Sequence, residues 1–239
     1  LKWQIAMTAV MLPLRKIQEA LESVNETLIE TEKRVVSLQR VAGQAANANE
    51  LYDLAQKYGQ TFDNVADVVE NLVKSGYTWE ESLKAAEPAL LAINVAELDA
   101  AQATEGLIAV VKQYGMELED LNYIQGVLNK TADNAAVTTE KLLIALQKTG
   151  STAKNANVSF EDTVGLITAL SEGTAASGQN IGNALRSLFV FTSDRKALDS
   201  FAGLSDGMAE TVKKYRAGKA SILDVWKGLG GVLQGMNSQ

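Results

Sequence analysis

Apolar residues open the chain in a repeating order. Trp3, Met7, Val10, Leu14, Ile17, Leu21, Val24, Leu28, Thr31, Val35, Leu38 and Ala42 are separated alternately by four and three positions, an unbroken heptad register. Leu14, Leu21, Leu28 and Val35 fall at a positions and Ile17, Val24, Thr31 and Leu38 at d, the pattern that lets helices supercoil. A helix over this stretch is about 60 Å long, at ~1.5 Å per residue. Pro13 lies off the seam but removes a backbone hydrogen bond, so a kink or a helix start is predicted near it. Two arrangements fit the seam: a long helix folded back on its own domain, or a parallel coiled coil between copies of the chain. Thr31 weakens the seam and is a candidate for setting register or copy number.

Beyond Ala42, the small and polar run 43–50 reads as a junction, and broader apolar faces follow it. These faces predict helices over roughly 61–75, 78–95 (with Pro88 kinking it), 99–114, 118–130, 138–155, 159–172 and 179–192. In the tail, 194–239, periodicity is weaker, with Ile222, Val225, Trp226, Leu229 and Leu233 making one more amphipathic stretch. Three turns share one design: Gly76 to Glu81, Gly115 to Asp120 and Asn157 to Asp162. Each sets a residue tolerant of positive φ ahead of an apolar, a polar and an apolar residue, then two acids. Gly or Asn closes one helix in the left-handed conformation. Thr78 with Glu81, and Ser159 with Asp162, have the capping-box spacing that starts the next. The copies lie about 40 residues apart, a period that helical solenoids also show, but three weak copies rank a solenoid behind an irregular bundle. The fold class expected is all-α: a heptad-patterned stalk over 1–42, a helical core domain over 43–192, and a helical extension over 193–239.

Composition narrows the chemistry. The chain has 239 residues with no Cys and no His, which removes disulfides, thiol nucleophiles, imidazole bases and most zinc chemistry. A formal charge of −7 and few basic clusters argue against gripping phosphate backbones, so no specific nucleic acid is expected as a ligand. The apolar opening from Trp3 to Leu14 has neither the charged lead nor the cleavage site of a signal peptide, and is too short to span a bilayer. The first residue is Leu, so the chain is expected to be processed or, the better reading, a piece of a longer one, with the extension over 193–239 truncated.

No residue set forms a reaction centre. Glu80 with Glu81, and Glu161 with Asp162, are adjacent on helices, where neighbours point in different directions, so capping explains them better than acid–base work. The run Gly178 to Gly182 resembles a phosphate cradle only loosely, since no Lys-Ser/Thr follows it, and close helix packing is the better reading. Arg186, just after it, is open to two roles, a partner for a carboxylate or neighbouring subunit and a solvated surface charge. Trp79 and Phe160 hold equivalent places in two turns and are expected in the core. No catalytic residue, metal ligand or cofactor is expected.

Lys148-Thr149-Gly150, Ala153-Lys154, the run Val158 to Asp162, and above all Ser177 to Arg186, with Gly178, Gly182, Asn183, Leu185 and Arg186, resemble the phage tail tape measure proteins. The likeness runs from about Leu38 to Phe189 and more weakly to Leu233. Leu51 to Gly76 is similar to the family's opening helix pair, Ala86 to Asp99 to its Pro-containing helix, and Val127 to Lys141 to its small-residue connector. Asn157 stands where Gly is usual and Gly126 where Asp is common. The resemblance implies several copies inside the tail tube of a phage or phage-like particle, a length that sets tail length, and exit ahead of DNA at ejection. It implies as partners further copies of the chain, tail tube subunits, tail chaperones and distal tail or baseplate proteins, with the host membrane engaged at ejection. The places implied are the tail lumen or tip, the host cytoplasm during assembly and the host envelope afterwards. Other readings are a membrane-inserting channel and, disfavoured, a peptidoglycan-degrading tail enzyme.

Overall fold

A computed structural model describes residues 22, 26–43, 46–96 and 99–237. Among these residues the regular elements are helices, with no strand, and the fold is all-α. Helix α1 covers 26–42. It is followed by α2 (Ala48–Tyr58), α3 (Phe62–Lys74), α4 (Trp79–Ala96), α5 (Ala100–Tyr114), a 3-10 turn (Leu118–Asp120) and α6 (Leu121–Asn134). Then come α7 (Thr139–Asn155), α8 (Phe160–Thr174), α9 (Gly178–Ser193), α10 (Arg195–Ala202), α11 (Asp206–Arg216) and α12 (Ile222–Asn237). The chain divides into two compact units, Leu1–Lys84 and Ala85–Gln239, and the division falls inside α4.

In the first unit, α2 starts where the Asn47 side chain accepts from the Asn49 amide, and stops at Gly59 with φ 64°. Thr61 then accepts from the Asn64 amide and starts α3. A single residue, Gln60, lies between the Gly59 stop and the Thr61 cap. On α3, Val65, Val68, Val69 and Leu72 are buried at helical spacing, with Leu51 and Ala55 from α2. Each large apolar side chain so enclosed contributes about 1.5–3 kcal/mol. Arg34 of α1 forms ion pairs with Asp67 and, at 2.7 Å, with Glu70, both on α3; Lys74 meets Glu70 at 2.6 Å.

These contacts decide how the described part of the heptad seam is used. Leu38 is 1% exposed and Thr31 and Val35 are half-buried, while Leu28 is 56% exposed. Around Arg34 and Leu38 the helix folds onto its own unit, the first of the two arrangements the seam permits. Leu14, Ile17, Leu21 and Val24, and Pro13, lie outside the described residues.

In the second unit α7 is the hub, packing against α5, α6, α8 and α9, and among these described helices it packs most extensively on α9. A solenoid would have each repeat meet only its neighbours in sequence; α7 is instead a shared centre, as in a bundle. The core combines Leu107, Val110 and Val111 of α5 with Ile124 and Leu128 of α6 and Leu142, Leu143 and Leu146 of α7. Val164 and Ile167 of α8 and Ile181, Leu185 and Phe189 of α9 complete it. Three elements differ from the sequence pattern. Helix α2 begins within the 43–50 run read as a junction and is absent from the helices predicted by apolar faces, although the likeness of Leu51 to Gly76 to an opening helix pair implies it, and α6 begins only after a 3-10 turn. The weakly periodic tail holds two short helices, α10 and α11, before α12.

Candidate functional site

The features singled out in the sequence resolve into helix joints, one close helix–helix contact, and a clamp between distant turns. At the first joint Gly76 adopts φ 103°. The Thr78 amide and hydroxyl both donate to Glu81 Oε2 at 2.8 Å, and the Glu81 amide returns a bond to Thr78 Oγ1 at 3.3 Å. This is a complete capping box. The Glu81 carboxyl is held below its usual range by the Thr78 backbone bond and then by the hydroxyl bond.

At the second joint Gly115 has φ 64°, and the Glu117 amide donates to Asp120 Oδ2 at 3.0 Å. At the third, Asn157 takes φ 57° and Ser159 Oγ accepts from the Asp162 amide at 3.0 Å. A fourth copy escaped the sequence reading: the Ser221 amide and hydroxyl donate to Asp224 Oδ2 at 2.8 and 3.2 Å, starting α12 after Gly218 at φ 69°. Its signal, Gly followed within six residues by Ser-x-x-Asp, was present, but the spacing to the third copy breaks the period of the other three.

The aromatic residues of these turns are core anchors. Trp79 is buried and its indole N–H donates to Glu50 Oε2 of α2 at 2.9 Å. Phe160, also buried, meets Tyr114 edge-on at 5.8 Å. The Tyr114 hydroxyl donates to Thr163 Oγ1 at 2.8 Å, and burial pushes its pKa up to about 12. Of the paired acids, Glu161 accepts from the Tyr123 hydroxyl at 2.7 Å, while the backbone amide of Asp162 donates to Ser159 Oγ in the cap. Among the described residues no cluster of three or more acidic side chains is placed to hold a metal ion.

The second feature is the face that α9 turns to α7. A Cβ on Gly178 would lie 2.5 Å from the Lys141 carbonyl oxygen. One on Gly182 would lie 2.7 Å from that of Ala145 and 2.8 Å from Lys148 Cβ. Only hydrogen fits at such distances, so the two glycines let the helix backbones touch. Ser177 starts α9 by accepting from the Asn180 amide at 3.3 Å, and Leu185 is buried on the same face. Asn183 and Arg186 point elsewhere; both are exposed, and Arg186 forms no ion pair among the described residues.

Helix α9 also carries an uncovered surface. Leu188, Val190 and Phe191 are 42%, 58% and 67% exposed, flanking the buried Phe189. The signal lay in the sequence: four consecutive large apolar residues exceed the arc that one buried face of a helix can take up.

The third feature is Asn157. Its side-chain amide donates to the carbonyls of Ala220 at 2.8 Å and Gly218 at 3.5 Å, in the turn between α11 and α12. Beside it the Ile222 amide donates to the Ala156 carbonyl at 3.0 Å. Gly would serve the left-handed turn equally well, so the side chain is present for its hydrogen bonds.

These features are made of helix caps, close backbone approaches and apolar contacts. No solved structure matches the chain. A family model does match it, that of the phage-related minor tail proteins, over residues 52–239, from within α2 into the end of the chain. The chain therefore belongs to the phage-related minor tail protein family, the structural proteins of phage tails.

Proposed function

We propose that within this family the chain is a tape measure protein or a segment of one. Several copies lie in the tail tube, tube subunits polymerise around them, and the length of the helical polypeptide sets the length of the tail. The observation that carries the reading is the family match over 52–239, joined to the resemblance of the run Ser177 to Arg186 to tape measure sequences. The wholly helical architecture of the described residues supports it, because a helix advances a fixed distance of about 1.5 Å per residue.

The role is structural, with no chemical step. The partners are further copies of the chain, tube subunits, tail chaperones and distal tail proteins, and the protein leaves ahead of the DNA. Folded helices in the second unit suit an anchoring or terminal segment better than the drawn-out ruler, and the heptad stretch suits the rod. No helix among the described residues is long and apolar enough to cross a membrane, so the channel alternative gains no support from them.

The test is an in-frame deletion within the heptad stretch of the intact gene, followed by measurement of tails in the electron microscope. Tails should shorten by about 1.5 Å for each residue removed. Tails of unchanged length would remove this region from the ruler.

A further inference from the structure

Helices α10, α11 and α12 pack in sequence at the end of the second unit. Leu198, Met208, Val212, Ile222 and Val225 are buried within these helices. Helix α11 packs against both α10 and α12, so closely that a Cβ on Gly228 would lie 2.6 Å from Met208 Sδ. Arg216 of α11 donates to Asp199 of α10 at 2.6 Å. The link to the preceding bundle is narrow in the chain. Asp194 alone separates α9 from α10, extended at φ −63° and ψ 144°, and its carboxylate accepts from the Lys196 amide at 2.8 Å to start α10.

In space the link runs mainly through α9, which packs on both α10 and α12. Phe189 stacks on Trp226 with centroids 5.4 Å apart, and the α7–α8 turn holds the α11–α12 turn through Asn157 and Ala156. Tyr215 reaches Ser193 at 2.9 Å, beside the pivot itself. The docked state is also imperfect, since the Trp226 indole N–H is buried with no partner among the described residues. A buried donor without an acceptor weakens the arrangement that buries it.

We propose that α10–α12 is a releasable arm, pivoting at Asp194 and latched to the α5–α9 bundle by the Asn157 side chain. Opening frees Phe189, Trp226 and the first turn of α12 together and leaves the bundle and the arm each folded. Local opening of this kind, with a free energy below that of global unfolding, is how movable elements behave in proteins. The two sister turns show how the latch can be removed without breaking the turn, since Gly76 and Gly115 hold equivalent places with positive φ.

The experiment is hydrogen–deuterium exchange of the whole 239-residue chain, read by mass spectrometry. Asn157→Gly keeps the backbone conformation and deletes the amide. Exchange in 222–233 should quicken by about tenfold, the effect of one or two neutral hydrogen bonds, with α5 and α7 unchanged. Tyr215→Phe deletes the bond to Ser193 beside the pivot and should likewise quicken exchange in the same segment. Equal acceleration through α5, α7 and α12 in the first variant would show one cooperative unit and overturn the latch, as would no change at all. Should Asn157→Gly fail to fold, turn and bundle are inseparable and the proposal fails on that ground. Unchanged exchange in Tyr215→Phe would equally count against it.

Discussion

Gly182 and Gly165 are both glycines inside helices, but one side chain atom would have opposite effects at the two. A methyl group at Gly182 meets the Ala145 carbonyl at 2.7 Å, while at Gly165 it meets nothing within 4 Å. Gly165→Ala should stabilise by up to about 1 kcal/mol through helix propensity. Gly182→Ala should destabilise by about 1–3 kcal/mol, because α7 and α9 must separate to admit the methyl group. Urea denaturation of the two variants beside the parent protein measures both; equal midpoints would refute the close approach. Tyr114 gives a pH test at the same scale. Its pKa is raised to about 12 by burial, from an ordinary value near 10. Stability from the neutral phenol is complete below pH about 10 and is lost as pH rises toward 12, because the unfolded chain ionises first. Tyr114→Phe should flatten that alkaline loss in denaturation curves taken from neutral to high pH. The close packing at Gly178 and Gly182 was legible in the sequence because small residues recur where helices meet. The duty of Asn157 was not. Its tolerance of positive φ is local and visible, whereas its partners Gly218 and Ala220 lie about sixty residues away and only the fold brings them near.

Helices were readable where one face alone is apolar, as in α3, α5, α7 and α8, and less so where tertiary packing sustains a short segment. Helix α10 has only 8 residues, too few to be stable alone, and it persists because α11 packs on it. In α1 the heptad register was visible, but the choice of partner was not, since an apolar seam does not specify which surface will cover it. Arg34 makes part of that choice through its ion pairs with α3. Burial pushes the Glu70 carboxyl up, but the hydrogen bond from Lys74 and the charge of Arg34 outweigh it and hold the pKa below its ordinary value. A depressed carboxylate contributes stability above its unfolded pKa and loses it as pH falls through the folded one. Thermal unfolding of the first unit should therefore ease on acidification below about pH 4.5. Arg34→Met should lower stability at neutral pH by about 1–3 kcal/mol and make the acid dependence shallower. A melting temperature that responds to pH just as in the parent protein would show that the guanidinium does not hold Glu70.

For the molecule as a whole, composition and periodicity together led to the all-α class and to a chain without thiol or imidazole, and its likeness to tail proteins agrees with the family to which it belongs. The division into units was less accessible. It falls within α4, between Lys84 and Ala85, where the helical pattern continues unbroken. A helix shared by two units shows no interruption in sequence, whereas the small polar run at 43–50 marks only the end of α1. A fragment beginning at Ala85 contains the α7 hub and every helix packed on it, so it should unfold cooperatively by circular dichroism, as a domain with its own core does. A featureless melt would mean that the second unit depends on the first.

The bare strip of α9 has a bearing on how relatives of this protein should be compared. Invariance in a protein is ordinarily taken to mark chemistry, a group retained because it reacts or recognises something. At Gly178 and Gly182 the requirement is for emptiness: any atom beyond hydrogen pushes against the peptide oxygens of α7. A position can thus be dictated by the room denied to a side chain, with no group of its own to react or to grip.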